Sequence, residues 1–172
     1  DPVAAGGSSS FEAEVRGARN ERIAGSATAN SGGWERESAV QVTFPGVGTF
    51  SGIILADANQ MHSISIMRAG SRLPDGTHRV YGMPVPSGVP TPVVTAGYVV
   101  RRGDGLQVFL ADSGTVTLTT SGARVAGTFT LYANHYKVIA HPTPGMTGQT
   151  ITPTEGGETP TTITGSFNAI RR

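Results

Sequence analysis

A five-residue phrase, written three times, restricts this chain more than any other feature: an aliphatic residue, a small one, glycine, a hydroxyl residue and an apolar or small one. It occurs as Ile23-Ala24-Gly25-Ser26-Ala27, as Val125-Ala126-Gly127-Thr128-Phe129 and as Ile163-Thr164-Gly165-Ser166-Phe167, with a looser copy at Phe50-Ser51-Gly52-Ile53. In a β-strand alternate side chains share a face, so the aliphatic residue, the glycine and the last residue all point the same way. Glycine in mid-strand weakens the strand, so its recurrence signals a bulge or a neighbour packed close against the backbone. The copies follow no fixed period, which argues against a solenoid or propeller and for one packing solution reused on several strands. Gly25, Gly127 and Gly165 are therefore predicted to be buried and to face an opposing side chain.

Composition agrees with strands. Charged residues make up 15% of the 172, below the roughly 25% of an average soluble domain. The 24 glycines and 11 prolines punctuate short runs rich in threonine, valine and isoleucine, the pattern of an all-β fold. The expected architecture is a single antiparallel β-sandwich or flattened barrel of about ten to twelve short strands, without substantial helix. A net charge of +1 carries no electrostatic footprint for nucleic acid. The absence of cysteine removes disulfides, thiol chemistry and cysteine metal sites. No apolar run is long enough for a membrane-spanning helix. The start at Asp1-Pro2-Val3-Ala4-Ala5, without an initiator methionine, reads as a processed N-terminus. A removed signal peptide would place the protein in the periplasm or outside the cell, and a lipidated cysteine just before Asp1 would add a peripheral lipid anchor.

Along the chain, residues 1–10 read as a tether, because Gly6-Gly7-Ser8-Ser9-Ser10 has the composition of a flexible linker. Residues 11–172 read as one β domain. Phe11, Ala13 and Val15 alternate with Glu12, Glu14 and Arg16. Further strands are expected over Ser38–Phe44, Thr49–Ala56, His62–Arg68, His78–Gly82, Val93–Arg102, Leu106–Ala111, Thr115–Thr119, Arg124–Ala140, Gln149–Thr152 and Thr161–Ile170. Asp112-Ser113-Gly114 reads as a tight turn, and Asn134-His135-Tyr136 as a strand bulge. The last strand is expected to pair near the Thr115–Ala133 hairpin. Proline cannot donate to a central ladder, so residues 83–92 and 141–160 are expected to form extended loops.

Motifs that carry chemistry are sparse. His62, His78, His135 and His141 stand in no H-x-H or H-x-x-x-H relation to one another, and read as surface or half-buried side chains. No G-x-S-x-G elbow is present. Glu12/Glu14 and Glu35/Glu37 sit at alternate positions facing solvent, and Asp57, Asp75, Asp104 and Asp112 fall at turns, where aspartate serves the backbone. No metal, cofactor or catalytic residue is assigned. Aromatic residues make up 6% of the chain, which weighs against a sugar-stacking platform.

The runs Ser113-Gly-Thr-Val-Thr-Leu-Thr-Thr, Arg124-Val-Ala-Gly-Thr-Phe-Thr-Leu-Tyr-Ala and Ile163-Thr-Gly-Ser-Phe-Asn-Ala resemble the C-terminal strands of uncharacterised secreted or lipoprotein β-domains of bacteria. Phe11–Ala27 resembles their first two strands. The resemblance implies an exported β-sandwich or barrel and brings no catalytic residue with it.

The reading that follows is a non-enzymatic accessory or structural subunit docking on a larger bacterial cell-envelope assembly, such as a respiratory or photosynthetic membrane complex. Its partner is another protein, not nucleic acid, and it has no membrane span of its own. Contacts are expected from Trp34, from Met83, Pro84, Pro86 and Pro90, and from His141, Pro142, Pro144 and Met146. Proline pre-extends such loops and lowers the entropy cost of docking. The alternative is an exported small-ligand or glycan binder with its pocket at a barrel mouth or on a sheet face.

Overall fold

A computed structural model describes residues 9–30, 50–69, 73–102, 105–140, 149–153 and 159–171. Ten strands, all in one sheet, and no helix occur among them. They are β1 (Ser10–Arg16), β2 (Glu21–Asn30), β3 (Phe50–Asp57), β4 (His62–Ala69), β5 (Gly76–Tyr81), β6 (Val94–Arg102), β7 (Gly105–Ser121), β8 (Arg124–Ala140), β9 (Gln149–Pro153) and β10 (Thr161–Arg171).

The ladders return on themselves. Antiparallel pairings run from β1 to β2, β3, β4, β6, β7, β8 and β10, and β10 pairs with β1 again. Every member of this ring has a partner on each side, so backbone N–H and C=O groups are matched across the ring and few edges stay open. The 17-residue strands β7 and β8 form one long hairpin, and their two halves serve different neighbours. Early in β7, Gly105–Leu110 pairs with β6, and later Ser113–Leu118 pairs with β5. Early in β8, Arg124–Ala133 pairs with β10, and its final turn of sequence pairs with β9.

Alternation decides what fills the ring. Phe11, Ala13 and Val15 on β1, Ile64 and Ile66 on β4, and Val94, Ala96, Tyr98 and Val100 on β6 are all buried, while the residues between them are not. One cross-strand row runs Ala27, Leu55, Ile64, Tyr98, Phe109, His135 over β2, β3, β4, β6, β7 and β8. The outer face of β7, β8 and β10 is lined by hydroxyls instead, with Thr117, Thr128 and Ser166 in one register row and Thr115, Thr130 and Thr164 in the next. That accounts for a sheet so poor in charge.

The glycine phrases meet each other. Gly165 pairs with Phe129 and Phe167 with Gly127, so each phrase sets its phenylalanine over the other's glycine. A Cβ on Gly165 would lie 2.6 Å from Phe129 Cζ, and one on Gly127 would lie 2.7 Å from Phe167 Cζ. The rings occupy the volume that the missing side chains leave. Gly127 and Gly165 face opposing side chains as expected, whereas Gly25 does not, and all three glycines are half-buried, not buried. At Gly25 the obstacle is backbone: an added Cβ would run into the carbonyl oxygen of Ala56 on β3. Gly52 and Gly127 meet neighbouring carbonyls in the same way, from Ile66 and Thr117. Such close backbone approach is one reason for glycine inside a strand.

Two local expectations are corrected. Asp112-Ser113-Gly114 is no turn, because β7 continues through it with a register shift between Ala111 and Ser113. The aspartate and the glycine suit a turn, and Gly114 does adopt φ 143°, but hydrogen bonding to β8 on both sides of the triplet holds the strand together. The extra residue, Asp112, is absorbed as a bulge. The expected bulge at Asn134-His135-Tyr136 therefore lies on the opposite strand, since these residues pair regularly with Leu110, Phe109 and Val108. Asp57 does serve its turn, where its carbonyl accepts from Gln60 N at 3.0 Å and its Oδ1 from His62 N at 3.1 Å. The strand expected at 38–44 lies outside the described residues.

Candidate functional site

Two places gather side chains of chemical interest. The first is the end of the ring where the β1–β2 and β3–β4 connections lie. Glu21 occupies the inward position two residues before Ile23, and there it reaches the hydroxyl of Tyr98, which is fully buried. Tyr98 donates to Glu21 Oε1 at 2.9 Å. That uses its single proton, so His62 Nδ1, 2.8 Å from the same oxygen, is the donor in that bond. Arg19 closes the end: its Nε lies 3.3 Å from Glu21 Oε1 and its Nη1 donates to Gln107 Oε1 at 2.9 Å. Only 13% of the Arg19 side chain is exposed. Burial, and then the carboxylate beside it, push the Tyr98 hydroxyl far above its ordinary range.

Behind this network a ladder of rings runs from His62 through Tyr98 and Phe109 to His135, with centroid separations of 6.1, 5.5 and 4.9 Å. Thr161, against the β1–β2 connection at Gly17, is buried with no hydrogen-bond partner for Oγ1. His78 lies elsewhere and donates from Nε2 to the Pro74 carbonyl at 2.7 Å. Among the described residues no group of three or more His, Asp or Glu could hold a metal ion. His141 lies outside the described residues.

The second place is on the outer surface, where the chain leaves β5. Gly82 N donates to the Asp112 carbonyl at 3.0 Å, so the loop after β5 is pinned against the β7 bulge. Glycine suits that position, because a Cβ there would come 2.9 Å from Asp112 Cα. Between loop and bulge is a cleft of about 270 Å³. Tyr81, Met83, Pro84 and Pro86 supply its apolar wall, and Arg79 and Asp112 contribute one charge of each sign. The Arg79 guanidinium sits 5.2 Å above the Tyr81 ring. Asp112 Oδ2 accepts a hydrogen bond from Asn134 Nδ2 on β8. Burial, and then the Asp112 charge, raise the Tyr136 hydroxyl above its usual range. Met83 is 50% exposed and Tyr132 51%. Both belong to one outer surface, since Tyr81 pairs with Ser113 and Ser113 with Tyr132.

Of the contact residues expected from sequence, Met83, Pro84 and Pro86 come together at this cleft. Pro90 is exposed on the same loop without lining it. Trp34, His141, Pro142, Pro144 and Met146 lie outside the described residues. Arg79 and Tyr81 join them from the end of β5, and Asp112 is brought in by the long-range pairing of β5 with β7, which no local signal announces. No family model, curated protein or solved structure matches this chain. No helix among the described residues is long and apolar enough to cross a membrane.

Proposed function

We propose that this protein is a non-enzymatic accessory subunit, a closed barrel of antiparallel strands that docks on a larger assembly of the bacterial cell envelope through the loop after β5. The observation that carries this reading is the half-exposed Met83 beside a cleft walled by Tyr81, Pro84 and Pro86. Protein interfaces are anchored by a few large side chains seated in well-packed pockets, and an adaptable methionine at the rim of a concavity suits such seating. The rigid prolines reduce the ordering cost of binding. Export to the periplasm or cell exterior is part of the proposal. The polar groups at the ring's end bond mainly to one another, which suits closing that end better than chemistry there.

The test is to isolate the tagged protein gently from its native source and identify the protein that accompanies it. Met83→Asp places a charge on the proposed contact, at a residue half exposed and outside every strand. The partner is expected to be lost with the thermal midpoint unchanged. Retention of the partner by a folded Met83→Asp would contradict docking through this loop.

A small-ligand or glycan binder is a second reading, favoured by one observation, the buried and unpartnered Thr161 hydroxyl. Such atoms ordinarily have a partner in the native state. A sugar or other small molecule that raises the thermal midpoint of the wild type but not of Thr161→Val would support it.

A further inference from the structure

We propose that the cleft between the β5 exit loop and the β7 bulge receives one uncharged apolar side chain, of the leucine, methionine or phenylalanine class, presented by an exposed segment of a partner protein. The inference rests on the docking reading above and specifies the chemistry of its anchor. Size comes first. A cleft of about 270 Å³ is smaller than the roughly 300–1,000 Å³ that holds a whole small-molecule ligand, yet ample for a single large side chain.

The walls set the second condition. Tyr81 and the two prolines are stiff, and Met83 is flexible and polarizable, so the apolar lining adapts to several side-chain shapes without a large ordering cost. Charge sets the third. Arg79 and Asp112 both line the cleft, so a charged anchor would gain one attraction and meet one repulsion, with no net return for the hydration it gives up. A neutral side chain meets neither penalty. Its two flanking peptide groups supply what the charges want, a carbonyl for Arg79 and an N–H for Asp112.

Both charges are held in place. The Arg79 guanidinium lies over the Tyr81 ring, and the bulge presents Asp112 outward, with Asn134 bonded to its carboxylate and Gly82 to its carbonyl. A bulge that re-aims one side chain is a common way to build such a contact.

Blocked amino acids reproduce an anchor with its two flanking peptide groups. N-acetyl-leucinamide, N-acetyl-phenylalaninamide, N-acetyl-lysinamide and N-acetyl-aspartamide would be titrated into protein carrying ¹³C-methyl methionine. Four methyl signals arise from four methionines, and Met83→Leu assigns the one that matters. The leucine and phenylalanine probes are expected to shift the Met83 methyl saturably and at least about tenfold more tightly than the lysine or aspartate probe. Raising salt from about 50 to 500 mM should change that affinity less than twofold, because a neutral anchor has little charge to screen. Strongest binding by the lysine probe, lost in Asp112→Asn and quenched by salt, would overturn the inference in favour of a cation site. No shift with any probe would also overturn it. Neither result touches the docking reading, which is tested separately by whether folded Met83→Asp retains the native partner.

Discussion

Replacing Gly165 by alanine should destabilise the protein, although alanine is ordinarily at least as good as glycine in a strand. The added Cβ would lie 2.6 Å from Phe129 Cζ, 2.9 Å from Ala13 Cβ and 2.5 Å from the Glu12 carbonyl oxygen. Phe129 is 3% exposed and Ala13 5%, so neither has open space to move into. Overpacking of this kind costs about 1–3 kcal/mol. For a chain of this length that is a fall of roughly 2–12 °C in the thermal midpoint. Gly97 is the control. It too sits within a strand, but there a Cβ would find Leu110 Cδ2 at 3.5 Å, an ordinary contact. Gly97→Ala should therefore be neutral or stabilising by up to about 1 kcal/mol. Both variants would be unfolded in urea and by heat against the wild type. Adding Phe129→Leu should recover part of the Gly165→Ala loss in a double-mutant cycle, the remainder reflecting the Glu12 backbone. Equal effects of the two alanines, or strict additivity with Phe129→Leu, would refute the packing role assigned to the glycine phrase.

Other outcomes follow from single groups. Tyr98 stays protonated in the fold at a pH where the unfolded chain, titrating near about 10, has lost the proton. Its contribution is thus complete below about pH 10 and falls as pH rises, by about 1.4 kcal/mol per pH unit. Tyr136 is shifted the same way, so Tyr98→Phe should remove one proton's worth of the slope of urea-unfolding stability against alkaline pH. An unchanged slope would contradict the buried Tyr98–Glu21 bond. Deleting Asp112 should be tolerated, with dispersed amide resonances retained, because it restores a regular ladder from Ala111 to Ser113 and keeps Val116 and Leu118 inward. Deleting Thr117 within the same strand should abolish folding, since it would turn Leu118 outward. Thr161→Val removes a buried hydroxyl without a partner, and should raise stability by about 1–3 kcal/mol in urea unfolding. A loss of stability would mean that the hydroxyl is satisfied in solution.

Strand identity was readable because it is written locally. The alternation of Phe11, Ala13 and Val15, and of Ile64 and Ile66, declares both the strand and its buried face. Closure of the ring was not readable, since nothing near Phe11 says that it will lie between Gly25 and Phe167. The Asp112 triplet is the opposite case: its local preference is for a turn, and a long-range ladder overrides it. At the cleft, Met83, Pro84 and Pro86 were legible as an apolar, proline-stiffened loop, whereas Asp112 comes from another strand and Arg79 from β5 itself. Glu21 did leave a local signal. It continues the inward series of Ile23, Gly25 and Ala27 with a carboxylate, and an acid at an inward position needs a buried partner.

Site-specific photo-crosslinking in the native host gives the most direct test that the outer cleft is the docking surface. A crosslinking residue would be placed in turn at Met83, Tyr132, Met61 and Ile170, the large apolar side chains exposed among the described residues, at 50%, 51%, 42% and 37%. Met61 marks the closed end with His62, and Ile170 the far end of β10. One partner, captured from positions 83 and 132 and absent from 61 and 170, is the expected result. Capture from 61 or 170 alone would contradict it.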